Sequence, residues 1–241
     1  MSKRHSVYTV LFVFLCVGFF SCRKDEVPEY IIERGTVMDV DSNVYQTVKI
    51  GDQWWMAENL IVTKFNDSTS IAIIHVDSID SWATTENPAY CVGPKSGNLY
   101  NAYVVNSEKN IAPKGWHVPT DEEWKKLERE IGMLAEEADY SGWRGVLEAN
   151  ALASKYRDGW GAATSDQDLY GNDYYGFNAV PSSVRGYNGR LSPSLAPSVW
   201  WWTKTSTGTE NYYRSIDSDH TEIFRHATVH EYGMSIRCIK D

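Results

Sequence analysis

Pro113–Ile131, PKGWHVPTDEEWKKLEREI, constrains the fold more than any other stretch of the chain. It joins a Pro/Gly turn to the clearest helix start in the sequence. Thr120 stands at the N-cap position, Glu123 three residues later completes a capping box, and Asp121 and Glu122 place negative charge at the positive helix end. Trp124, Leu127, Ile131 and Leu134 then recur at helical spacing, which predicts one apolar face and one charged face. Before this segment the chain reads as hairpins; after it come aromatic-rich loops and strands. The expectation is an α+β domain with one main amphipathic helix packed on antiparallel sheet.

Strand signals begin with Thr36–Val40 and Val44–Ile50 around the turn triplet Asp41-Ser42-Asn43, and the alternation predicts that Val44, Gln46, Val48 and Ile50 share a face. Gly51-Asp52 turns the chain into Gln53–Met56, where Trp54 and Trp55 point to opposite sides. Ile71–Val76 reads as an edge strand, and Ala89–Val105 as two strands around Gly93–Gly97. A shorter second helix is expected over Val146–Lys155 from Leu147, Ala151 and Leu152. Tyr156–Tyr175 has no period and reads as a long surface loop. Strands resume at Gly176–Val180, Val199–Thr205, Asn211–Ile216, Thr221–Ala227 and Gly233–Lys240, the last three as an antiparallel meander.

The first residues read as an export signal. Lys3 and Arg4 precede an apolar run, Val7–Phe20, too short to span a bilayer comfortably, and the run ends at Ser21-Cys22. A Cys directly after a signal resembles a bacterial lipobox, with residues 1–21 as signal peptide and Cys22 as the lipidated first residue. Arg23-Lys24-Asp25-Glu26 resembles the export tag of Bacteroidota surface lipoproteins. That reading makes residues 22–34 a tether, residues 35–241 the domain, and the location the outer membrane, on its outer surface or alternatively its periplasmic face. The formal net charge of −9 argues against nucleic acid and against adhesion to anionic headgroups. Cys91 and Cys238 remain in a compartment that permits disulfides; they read equally as a pair or as two buried thiols.

Four stretches in order carry a family likeness: GDQWWMAENL (Gly51–Leu60), PKGWHVPT (Pro113–Thr120), YGFNAVP (Tyr175–Pro181) and YGMSIRCIKD (Tyr232–Asp241). Together they resemble the Fibrobacter succinogenes major paralogous domain, over about Gly35–Asp241. The resemblance implies an exported protein with a C-type lectin-like fold, related to formylglycine-generating enzymes: twisted antiparallel strands, one main helix, a shorter second one and long aromatic-rich loops. Its biochemical role is largely unassigned. Ala112 stands where relatives commonly have Cys, and Ser182-Ser183 where a Gly pair is usual. The related oxidases use a reactive cysteine pair near the domain end, whereas this chain offers Cys238 alone there.

No catalytic constellation emerges from the residues, and no cofactor or metal is expected. Asp39–Asn43 opens like a calcium loop but has Val44 and Ile50 where Gly and Glu are needed. His226 and His230 on one strand would sit ~13 Å apart, too far to share zinc unless a turn intervenes. His117 lacks a nucleophile at recognisable spacing, and its ring is expected to satisfy backbone groups in the motif turn. The aromatics are the remaining signal. Trp54, Trp116, Trp124, Trp201 and Phe177 read as core. Trp160, Tyr170, Tyr174, Tyr175, Tyr187 and the neighbouring Asn188 lie in polar loops, where rings stack sugars and amides bond hydroxyls. The leading expectation is a non-enzymatic surface lipoprotein that binds extracellular glycan or polysaccharide through the Asp158–Asn188 loops. Docking on another surface protein is the alternative, and a polysaccharide-acting enzyme ranks last.

Overall fold

The computed structural model describes residues 31–155, 159–161, 171–192 and 197–241. The chain opens with β1 (Arg34–Met38), β2 (Val44–Ile50) and β3 (Gln53–Met56). Next come β4 (Ala72–Ile73), α1 (Ile79–Ala83), β5 (Ala89–Val92), β6 (Asn98–Tyr100) and α2 (Ala102–Asn106). Then β7 (Trp116–His117) leads into α3 (Asp121–Glu130), β8 (Gly142–Arg144) and α4 (Glu148–Leu152). The last part carries β9 (Val184–Arg185), β10 (Leu191–Ser192), β11 (Ser198–Ser206), β12 (Glu210–Asp217), β13 (Ile223–Val229) and β14 (Ile239–Lys240). The domain is therefore α+β, with short helices on several sheets. Its main sheets run β1-β2-β3-β14-β7 and β11-β12-β13-β8, with a smaller β4-β5-β6 sheet and a β9–β10 hairpin beside them.

Alternate residues of both main sheets feed two separate cores. In β3, Met56 joins one core while Trp55 joins the other, as the sequence predicts for adjacent positions. In β11, Trp202 and Trp201 divide in the same way. β2 departs from the expected alternation: Tyr45 and Thr47 are buried, Val44 and Gln46 are exposed, and Val48 and Ile50 are buried on the second face. A sheet buried on both sides removes the simple two-residue period that predicted a single inward face. The domain also begins earlier than Gly35. β1 starts at Arg34, and Ile32, expected in the tether, packs against the second core.

The final segment does not extend the meander. The meander is β11-β12-β13, and Gly233–Lys240 instead crosses from sheet to sheet. Gly233 bridges Arg185 in β9, Met234 bridges Tyr100 in β6, and Ser235 bridges Trp201 in β11. Ile239 then pairs with Trp55 on one side and His117 on the other. Gly233 is required here, since a Cβ would lie 2.8 Å from the Trp82 ring and 2.9 Å from the Arg185 Cβ. Gly176–Val180 is not a strand; Ala179 makes one isolated bridge to Ala153. Ile71–Val76 contributes only β4, a two-residue edge paired parallel to β5.

Helix α3 starts as predicted. The Thr120 hydroxyl accepts from the Glu123 N–H at 3.2 Å, and the Glu123 carboxylate accepts from the Thr120 N–H at 2.7 Å. Trp124, Leu127 and Ile131 enter the second core. Leu134 does not: the chain leaves the helix through Gly132, at φ 121°, and Leu134 is exposed. The second predicted helix shortens to α4, with Val146 and Leu147 exposed in front of it. The Glu148 carboxylate accepts from both their backbone N–H groups, which holds them in a turn rather than a first helical turn. Cys91 and Cys238 are two free buried thiols in separate clusters, not a disulfide.

The polar side of α3 is the larger departure. Asp121, Lys125 and Glu128 recur at helical spacing and are all buried. Glu128 receives two hydrogen bonds from Arg144, at 2.8 and 2.9 Å, and one from Arg214 Nε at 2.6 Å. Asp121 receives Arg214 at 2.8 Å and Arg225 at 2.8 and 2.9 Å. Burial alone would raise the Asp121 carboxyl, but the bonds from Arg225 and Arg214 outweigh it and hold it well below the usual carboxylate range. Its contribution is therefore complete above the unfolded carboxylate value of about 3.9 and is lost as the pH falls below it. Replacing Glu128 by Ala strands two buried guanidinium groups and is expected to cost about 3–5 kcal/mol in urea unfolding at neutral pH. A loss below about 1 kcal/mol contradicts the network's role.

Candidate functional site

The four stretches that carry the family likeness meet inside the domain, and what they build is a frame. Asn59 Oδ1 accepts from Trp201 Nε1 at 2.9 Å and from Arg237 Nε at 3.0 Å, while its Nδ2 donates to the Ser96 carbonyl and the Ser235 hydroxyl. Arg237 donates onward to the carbonyls of Phe177 and Asn178 and lies over the Phe177 ring at 4.3 Å. Burial lowers the Arg237 guanidinium to about 9. Phe177, Trp124, Trp55 and Trp201 form a ring cluster with centroids 4.9–6.0 Å apart. Every polar atom of Asn59 is engaged in holding elements together, so the hub is structural.

His117 bonds side chains rather than the backbone groups expected of it. Nε2 lies 2.8 Å from a Glu123 oxygen and Nδ1 2.7 Å from an Asp241 oxygen. The Glu123 carboxylate first, then Asp241, raise the imidazole to about 9 against partial burial. At neutral pH the ring is a cation clamped between two carboxylates, which suits a latch and not a general base. A cavity of about 250 Å³ lies beside it, lined also by Lys109 and Lys204. Both lysines are engaged: Lys109 pairs with Asp67 at 3.1 Å, and Lys204 donates to the carbonyls of Val105 and Ser107.

A different arrangement occupies the outer face of the second sheet. Trp200, Tyr213, Phe224 and Trp143 follow one another across β11, β12, β13 and β8, with centroids 4.9, 6.0 and 4.9 Å apart. His220 stacks on Trp143 at 3.7 Å. At the other end the row continues from Trp200 to Tyr232 at 6.3 Å and from Tyr232 to Tyr187 at 5.6 Å. Here it opens into a groove of about 370 Å³, lined by Tyr187, Asn188, Arg190, Ser192, Trp200 and Tyr232 among others. Tyr187 is 56% exposed, the open ring of this end of the row.

The groove's outer wall is the β9–β10 hairpin, held from beneath by Arg185. This fully buried guanidinium donates to the Gly189 carbonyl at 2.9 Å, to Ile74 at 2.8 Å and to His75 at 3.1 Å, and it stacks on Trp82 at 4.3 Å. Gly189, at φ 79°, lets the turn pass so close that a Cβ would sit 2.1 Å from the Ile79 carbonyl oxygen. The hairpin therefore presents Tyr187, Asn188 and Arg190 from a fixed base.

Of the loop residues predicted to bind ligand, Tyr187 and Asn188 reach this groove. Trp160 does not: it is buried, and its Nε1 donates to the Ala179 carbonyl. Tyr174 is exposed but packs edge-on against Tyr175, which is half-buried against the second core. Tyr170 lies outside the described residues, as do Asp158 and residues 162–169 of the Asp158–Asn188 loop. Trp200, Tyr232 and Arg190 were missed. Strict alternation along Val199–Thr205 would have separated Trp200 from the buried Trp201, but nothing in sequence places Tyr232 beside it. Among the described residues no group of His, Cys, Asp or Glu is arranged to hold a metal ion; His226 is exposed, and Asp39 spends its carboxylate on its own turn.

The model of one protein family, the Fibrobacter succinogenes major domain, matches residues 48–240. No curated protein and no solved structure matches the chain. The matched span contains the hub, the groove and all of the latch except Asp241.

The latch has a defined pH signature. A histidine raised from about 6.5 to about 9 contributes stability that is complete below the lower value and lost as pH rises through the higher one. Thermal midpoints are expected to fall between pH 7 and 9.5, and His117→Gln should flatten that fall. Parallel curves for the two proteins would contradict it.

Proposed function

The chain belongs to the Fibrobacter succinogenes major domain family, and from that premise we propose that it is a non-catalytic glycan-binding lipoprotein of the cell surface. In this reading Cys22 carries the lipid anchor, and a lectin-like domain faces outward from the outer membrane. Cys22 and the leader lie outside the described residues; among those described, no helix is long and apolar enough to cross a membrane.

The observation that carries the proposal is the aromatic groove. Sugar rings have apolar C–H faces and polar rims, so they bind where an exposed aromatic ring adjoins amide, hydroxyl and guanidinium groups. Tyr187 offers such a ring beside Asn188, Ser192 and Arg190, with Trp200 and Tyr232 as its floor. The hairpin is already fixed by Arg185, which limits the ordering cost of binding. Glycoside hydrolysis needs two carboxyl groups facing one bond, and the described lining carries none. His117, held between two carboxylates, is a latch elsewhere on the surface, and His220, bonded to Asp217, is at the far end of the aromatic row and not in the described groove lining.

Binding of the full chain in detergent to a panel of oligosaccharides, read by titration calorimetry, tests this. Tyr187→Ala should weaken any hit at least tenfold, equivalent to about 1.4 kcal/mol, with an unchanged circular dichroism spectrum. EDTA should leave the affinity unaltered. Binding that survives Tyr187→Ala and Trp200→Ala would remove the groove from the account. Silence across the panel would favour docking on another surface protein.

A further inference from the structure

Resting on the glycan reading above, we infer that the groove selects a negatively charged sugar, a uronate or a sulfate ester, and that Arg190 is the residue that selects it. The chain as a whole is acidic, with 32 Asp and Glu against 23 Lys and Arg. The groove reverses that balance. Its lining is Val184, Gly186, Tyr187, Asn188, Arg190, Leu191, Ser192, Trp200 and Tyr232, which is one cation and no carboxylate.

Arg190 is exposed and forms no ion pair among the described residues. Its backbone is nevertheless fixed: its N–H donates to Asn188 Oδ1 at 3.1 Å, and its carbonyl accepts from Gly186 at 2.8 Å. The anchored main chain and free guanidinium together form an arm of defined origin. The same bond orients Asn188. With Oδ1 turned toward the Arg190 N–H, the amide's Nδ2 makes no hydrogen bond among the described residues, so the rim presents an NH₂ beside the guanidinium. Both groups donate, and a ligand that only accepts satisfies both. A carboxylate or sulfate does so, and the planar fork of Arg matches its oxygens two at a time.

The cations that line the two other described cavities are already engaged by the protein. Around the His117 cavity, Lys109 faces Asp67, and His117 lies between Glu123 and Asp241. A third cavity, of about 260 Å³, has Arg237 at its wall, but that guanidinium is bonded to Asn59, Phe177 and Asn178 and shares the lining with Glu58. At 0.15 M salt the surrounding acidic surface is screened beyond about 8 Å, so the contact with Arg190 decides the preference once the sugar is in the groove.

The test compares oligogalacturonate with the same oligomer fully methyl-esterified, which removes the charge and keeps the ring. A sulfated galactan oligomer forms a third arm, to separate sulfate from carboxylate. The expected result is at least tenfold tighter binding of one charged oligomer than of the methyl ester. Arg190→Gln should bring that ratio close to one by weakening the charged oligomer far more than the methyl ester, and added salt should weaken the charged ligand alone. Equal binding of charged and neutral oligomers, or a preference that survives Arg190→Gln, overturns the selection while Tyr187-dependent binding keeps the glycan reading. Absence of binding by every charged and neutral oligomer overturns both.

Discussion

Glu128 has no exposed surface, yet it is charged and shared between Arg144 of β8 and Arg214 of β12. About two helical turns earlier, Asp121 takes the other side of Arg214 and two nitrogens of Arg225 from β13. Three strands of the second sheet are thereby tied to one side of α3. Burying such charges is costly, and the arrangement holds only because each carboxylate accepts several charge-assisted bonds and each guanidinium finds an oxygen. It also fixes direction. A helix held only by Trp124, Leu127 and Ile131 can slide or rotate on an apolar surface; a forked network has one register.

The rest of the domain is arranged from that fixed helix. Its capping box leads back to His117, which joins Glu123 to the final residue, Asp241. The chain's last ten residues then run past β9, β6, β11, β3 and β7, so the end of the sequence closes the fold. Three of the four family-like stretches supply residues to one such join: Asn59, Phe177, Ser235 and Arg237 make one hub. The groove is built largely from other positions, on a hairpin outside those stretches, with Tyr232 the member common to both. A shared frame with a separately composed rim is how one fold serves different ligands.

Legibility followed the range of the interaction. The Thr120 cap, the turn at Ser42, β2 and the Gly51 hairpin depend on residues a few positions apart, and all are readable in order along the chain. The exposure of Tyr187 and Asn188 was also legible, because a ring and an amide in a turn have no local burial partner. Trp160 has the same local surroundings but is buried, its partner Ala179 lying 19 residues away. Trp200 and Tyr232 are neighbours only because β11 and the final segment meet, a contact that carries no local signature.

By itself the sequence determined the α+β class, the start of α3, the first hairpins, the family and the burial of Trp116, Trp124 and Trp201, since each rests on short-range periodicity or on motifs read whole; Trp54, also read as core, is only partly buried. The tertiary structure decided which faces are inside. It turned the charged side of α3 into a buried network, took Gly233–Lys240 out of the meander, left Cys91 and Cys238 as separate thiols, and placed an exposed arginine in an aromatic groove. The physical reason is common to all four. A charge, a strand edge, a thiol and a ring each take their character from the group they face, and that group is supplied by a distant part of the chain.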